Sequence, residues 1–212
     1  MPPTFPRRLS PALAGILAVI GLEFFLVTAL VMQYLRADLD WVKAPLSYYL
    51  IGPHSGWLIT AYFFLAASIL LVGLGFYREL APPARSIVAV MLFAAAALCV
   101  CIVALAHMDM PGTARFTAEG RLHNAAATLA FACASFGMLL QAWQLRHDPR
   151  WRARYPQALV LALLTFALLL AYELLAWLPR GALQKSAILL IVLWLLMTGR
   201  WLSLTWMKRL TA

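Results

Sequence analysis

The chain has 212 residues, of which 64% are apolar and 12% charged, and a mean hydropathy of +0.84. A soluble globular domain is roughly 45–50% apolar and about 25% charged, so this composition excludes one, and its hydrophobicity equally excludes a disordered chain. An integral membrane protein remains. Each ~30 Å crossing needs about 20 apolar residues, so six crossings with short loops use nearly the whole length as one domain, 1–212.

The first apolar run, 12–34, follows a Pro-rich start containing Arg7 and Arg8. It is longer than the roughly 7–15 residues of a signal-peptide core, and no small-residue cleavage site follows it, which predicts a retained span. Glu23 lies eleven residues into this run, near the bilayer midplane at 1.5 Å per residue. A charge there costs at least about 2.5 kcal/mol, so Glu23 is expected to be protonated, paired or turned to a polar cavity. The next loop holds Asp38, Asp40, Ser47, Tyr48, Tyr49 and His54. Pro45 restricts its backbone, and Ser47 is placed to cap a short interfacial helix.

Further spans are expected at 56–77, 86–106, 123–145, 158–178 and 184–204, separated by Pro, Gly or charged residues. The fold class is therefore all-α, a bundle of six transmembrane helices. Cys99, Cys101 and Cys133 lie inside spans without metal-type spacing and read as small hydrophobes. Ala126, Ala130 and Ala134 give span four a small face for close helix packing. Trp41, Tyr48, Tyr49, Trp57, Trp143, Trp151, Trp177 and Trp206 sit near span ends as an interfacial belt.

Six spans put both termini on one side. Arg7, Arg8, Arg78, Arg85, Arg146, Arg150, Arg152, Arg154, Arg200, Lys208 and Arg209 are eleven basic residues on that side, against Arg36, Lys43, Arg115, Arg121, Arg180 and Lys185 opposite. The excess predicts cytoplasmic termini, with a bacterial inner membrane as the expected location. The net charge of +9 is concentrated at span ends, which points to membrane lipids as partners and away from nucleic acid.

Three of the four histidines, His54, His107 and His123, share the side opposite the termini. His107 ends span three and His123 begins span four, with Asp109 between them, so the two imidazoles are expected at similar depth. His54, His107, His123 and Asp109 have the chemistry of a zinc site, although the spacing matches no established zinc motif. Ser47, His123 and Asp109 also supply a nucleophile, a general base and an orienting carboxylate. Glu173, near the outer end of span five, is expected to complete a polar pocket with His54, Arg121 and Tyr48. A histidine pair also admits a haem- or quinone-binding electron carrier, and the midplane Glu23 a small transporter or non-catalytic partner subunit.

Two stretches carry a family resemblance. The first is Asp38-Leu39-Asp40-Trp41, then Pro45-Leu46-Ser47-Tyr48-Tyr49 and Gly52-Pro53-His54-Ser55-Gly56-Trp57; the second is Asp109 followed by Gly120-Arg121-Leu122-His123. Together they resemble a bacterial six-span family, domain of unknown function 998, which itself is distantly similar to the Frag1, DRAM and Sfk1 group associated with membrane lipid homeostasis. The family carries an aromatic-Pro-Thr-Asp-like run where this chain reads His107-Met108-Asp109. The resemblance implies a six-span fold, marks Ser47, Asp109 and His123 as the positions that carry over, and by analogy suggests lipid or amphiphile handling.

Overall fold

A computed structural model describes residues 10–109, 117–175 and 177–205. The expectations concerning Arg7, Arg8, Arg115, Trp206, Lys208 and Arg209 fall outside these residues. Among these residues, six helices are long and apolar enough to cross a membrane: α1 (Pro11–Leu35), α2 (Ser55–Glu79), α3 (Ile87–Leu105), α4 (Ala118–Leu145), α5 (Tyr155–Leu174) and α6 (Arg180–Ser203). Short 3-10 turns at Leu46–Leu50, Pro82–Ala84 and Arg152–Arg154 lie in the connections, and no strand occurs among the described residues. Hydrocarbon admits an all-helical build because a helix pairs its backbone N–H and C=O groups within its own segment.

The helices form a closed ring of sequence neighbours, with α6 returning to pack on α1. Both described chain ends therefore lie at one end of the bundle, called here the terminal end. Backbone contact closes the α1–α6 seam: a Cβ on Gly15 would sit 2.5 Å from the Gly199 carbonyl oxygen and 2.6 Å from the Ser203 nitrogen. Phe93 and Trp194 fill the centre with ring centroids 6.0 Å apart. The Trp194 indole donates to the Ala158 carbonyl at 2.9 Å and ties α6 to α5. Of α5 itself, only Ala158, Ala162 and Thr165 are buried, making it the least embedded span.

Helix limits differ from the expected spans where polar residues are absorbed into a capped end. α4 begins five residues before the expected 123, because Thr117 caps it and allows Glu119 and Arg121 to be helical. α5 ends at Leu174, before the expected 178, and α6 starts at Arg180. Glu23 lies on the exposed face of α1, with Ile20 and Val27, and makes no hydrogen bond or ion pair among the described residues. It therefore does not turn into a cavity of the bundle.

At the terminal end a buried carboxylate clamps two loops. Asp148 accepts hydrogen bonds from the Ala81 N–H at 2.8 Å, the Arg150 N–H at 2.9 Å and the Arg150 guanidinium at 3.1 Å. That guanidinium also reaches Glu79 at 3.2 Å. Burial pushes the Asp148 carboxyl up, but the Arg150 side chain and the two backbone donors outweigh it and hold the group below the usual carboxylate range. A depressed carboxyl stabilises the fold at neutral pH and loses that contribution only as pH falls through its lowered pKa. Asp148→Ala is expected to cost on the order of 3 kcal/mol, because it strands a buried N–H and a guanidinium. Thermal unfolding in detergent at pH 7 should show it as a clear drop in midpoint, and acidification should narrow the gap between wild type and variant.

Candidate functional site

The end opposite the termini is built by hydrogen bonds between loops and helix starts. In the α1–α2 loop, Arg36 is buried and forks onto Asp38 at 2.8 and 2.7 Å, with a third bond to the Ile51 carbonyl at 2.6 Å. The guanidinium holds the Asp38 carboxyl below its ordinary range. Gly52 has φ +89° directly against Arg36, a left-handed turn with no room for a side chain. Asp40 accepts from the Val42 and Lys43 N–H groups and shapes the following turn.

The same loop is fastened to the first turns of α6. The Ala182 N–H donates to the Val42 carbonyl at 2.8 Å, and the Leu46 N–H donates to Gln184 Oε1 at 2.9 Å. Gly181 permits the approach: a Cβ there would lie 2.6 Å from the Lys43 and Ala44 carbonyl oxygens. The expected short interfacial helix is present at Leu46–Leu50, but Ser47 lies inside it and does not cap it. Its buried hydroxyl instead lies 2.9 Å from the Met108 sulfur.

The α3–α4 connection explains the Asp109 and Gly120-x-x-His123 signature physically. Asp109 accepts from the Thr117 N–H at 3.0 Å and from the Thr117 hydroxyl at 2.7 Å, while that hydroxyl accepts from the Gly120 N–H at 2.9 Å. A carboxylate thus sits on the positive end of α4 through a relayed cap. A Cβ on Gly120 would run into the Asp109 carboxylate, so any larger residue would have to displace it. One turn later, His123 is 2% exposed, and its Nδ1 lies 2.7 Å from the Ala106 carbonyl oxygen. A carbonyl only accepts, so Nδ1 carries the proton and Nε2 of the neutral ring is left as an acceptor.

Two adjoining cavities meet at this end, sharing Ser47, His123, Ala127, Phe131 and Gln184. The inner one, about 70 Å³, is walled by Phe25, Tyr62, Leu65, Val100, Ile188 and Val192. The outer one is a groove of about 470 Å³ between α4, α5 and α6. Its mouth carries Ser47, His123, Asn124, Glu173, Arg180 and Gln184, and its walls are Phe136, Phe166, Leu169 and Leu170. Phe136 and Leu170 are 51% and 47% exposed, so the groove opens sideways on the face that meets lipid.

Of the expected site residues, Ser47, His123 and Glu173 come together here. Asp109 does not orient His123, whose Nδ1 is committed to Ala106, and no base contacts the Ser47 hydroxyl among the described residues. His107 is exposed and pairs with Glu119 at 2.7 Å. His54 is exposed at the start of α2 with φ +63°, and Arg121 is exposed on α4. Tyr48 is half-buried outside the cavity lining. No group of three His, Cys, Asp or Glu side chains is placed to hold a metal among the described residues, and no second histidine joins His123 in the two cavities to form a haem pair. Gln184 and Arg180 escaped the sequence reading because both sit at the start of a span, where polar residues look like ordinary boundary punctuation.

These features describe a polytopic helical membrane protein with a lipid-facing groove closed at one end by a hydrogen-bonded polar mouth. The chain belongs to the family described as protein of unknown function (DUF998), whose model matches residues 19–201. No curated protein and no solved structure matches it.

The cap predicts opposite outcomes for two glycines at helix starts. Gly120→Ala should drive Asp109 off the α4 start, cost roughly 1–2 kcal/mol of stability for a lost cap, and so lower the unfolding midpoint. Gly56→Ala meets nothing within 4 Å and should be neutral or slightly stabilising. Thermal melts of the two variants side by side check this, and equal melts would remove the structural role assigned to Asp109.

Proposed function

We propose that this protein binds a membrane amphiphile, with the polar head at the Ser47–His123–Gln184 mouth and the apolar tail along the α4–α5 groove. One observation carries the reading: a single groove is polar at one end, apolar along its length and open to the lipid face. From His123 to Ser135, both lining the groove, twelve residues of α4 span about 18 Å. One leaflet of hydrocarbon is about 15 Å deep, so a lipid tail would run its normal depth inside the groove. The volume of about 470 Å³ falls in the range typical of ligand pockets.

The chemistry of the mouth favours binding over covalent catalysis. A serine held on a thioether, and a histidine whose expected carboxylate partner is spent on a helix cap, make hydrogen bonds to a head group but assemble no nucleophile relay. His123 Nε2 accepts from a ligand hydroxyl or amine, Gln184 Nε2 donates, and Ser47 Oγ, whose proton is directed to the Met108 sulfur, is left to accept. We further propose cytoplasmic termini in a bacterial inner membrane, from the basic excess at the terminal end, which puts the groove in the outer leaflet.

Native mass spectrometry of protein purified in mild detergent tests the reading. Wild type should retain or take up one lipid-sized amphiphile. Ala127→Trp, which plugs the junction of the two cavities, should lose it at little cost to the melt. Wild-type protein that stays empty after incubation with vesicles of mixed phospholipids would overturn the proposal, and so would full occupancy of the plugged variant.

A further inference from the structure

Among the described residues, the aspartate, glutamate, lysine and arginine side chains at the groove end of the bundle are, with two exceptions, already engaged. Arg36 is forked onto Asp38, Lys43 lies 3.9 Å from Asp40, and His107 holds Glu119. Asp109 is spent on Thr117, and the Lys185 ammonium donates to the Trp41 carbonyl at 2.6 Å. Glu173 and Arg180 alone differ: both line the groove mouth, both are exposed, and neither makes a hydrogen bond or ion pair among the described residues. They are not paired with each other. The Arg180 guanidinium lies over the Tyr172 ring, 5.0 Å from its centroid, which leaves its N–H edge free for an acceptor.

A third group adds direction. Gln184 Oε1 accepts from the Leu46 N–H, which settles the amide orientation and leaves Nε2 as a donor with no partner at the mouth. The mouth thus offers free donors on α6, in Arg180 and Gln184, and a free carboxylate at the end of α5, in Glu173. A head carrying only negative charge would satisfy Arg180 and stand against an unshielded carboxylate. A purely cationic head would meet the reverse conflict.

We infer that the amphiphile is zwitterionic, with an anionic phosphate directed to Arg180 and Gln184 and an ammonium directed to Glu173. The inference rests on the amphiphile-binding reading and adds the class of head group. The charges provide selection more than affinity, since exposed ion pairs contribute little on their own, and the tail supplies most of the binding.

The test offers purified protein an equimolar mixture of phosphatidylethanolamine and phosphatidylglycerol with identical acyl chains and reads the bound ratio by native mass spectrometry. Wild type should favour phosphatidylethanolamine about fivefold, the scale of one exposed ion pair. Glu173→Gln should bring the ratio to about one while lipid is still bound, and the exchange Glu173→Arg with Arg180→Glu should restore part of the preference. Both residues are exposed, so the variants should melt like wild type. Bound lipid with no preference, or with preference for phosphatidylglycerol, overturns the zwitterion inference and leaves the amphiphile reading standing; no bound lipid overturns the reading itself. Displacement of the lipid by millimolar soluble phosphoethanolamine would show that the head alone is the ligand and would remove the tail from the proposal.

Discussion

Much of the groove end depends on the hold that Asp109 keeps on the start of α4. Water at the interface can repair a frayed helix start, but a start that carries a cavity wall must be held in one register. The Thr117 hydroxyl achieves this by bonding in two directions, to Asp109 and to the Gly120 N–H. The carboxylate lies so close over Gly120 that a side chain there would push it aside. His123 follows one turn later, its ring held by the end of α3 at the meeting point of two cavities.

The two ends of the bundle use polar groups differently. At the terminal end, Asp148, Arg150 and Glu79 satisfy one another, and the cluster locks two loops together. At the groove end the loops are pinned just as firmly, through Arg36, Asp40 and Gln184, yet His123, Glu173, Arg180 and Gln184 line the mouth of the groove. Little hydrophobic drive holds helices together in lipid, so these polar fastenings and the close glycine seam of α1 with α6 set the arrangement. The weakly embedded α5 forms one wall of the groove.

Part of the site was legible from residue order. Ser47, His123 and Glu173 were expected on one face from span counting and depth, and they line one groove. The same reasoning places His54, His107, Arg121 and Tyr48 beside them, and none of these four lines the two cavities. Depth along the membrane normal can be counted from a sequence; the angle around a helix axis and the path of a loop cannot. His107 and His123 end at similar depth, yet one turns outward to Glu119 and the other inward to the cavity. The role of Asp109 was misread for a related reason: a carboxylate near a histidine invites a dyad, but the nearer demand was the open N-terminus of α4.

The sequence by itself determined the class, the number of spans and which polar residues share an end, because these follow from apolar run length and from the cost of placing charge in hydrocarbon. Only the tertiary structure decided that Glu23 faces outward on α1, that Asp109 caps α4, and that Gln184 and Arg180 belong to the mouth. Those outcomes depend on helix rotation and on contacts between residues far apart in the chain, such as Leu46 with Gln184. Local periodicity in a uniformly apolar span does not encode them, since nearly every face of such a helix can lie against either lipid or protein.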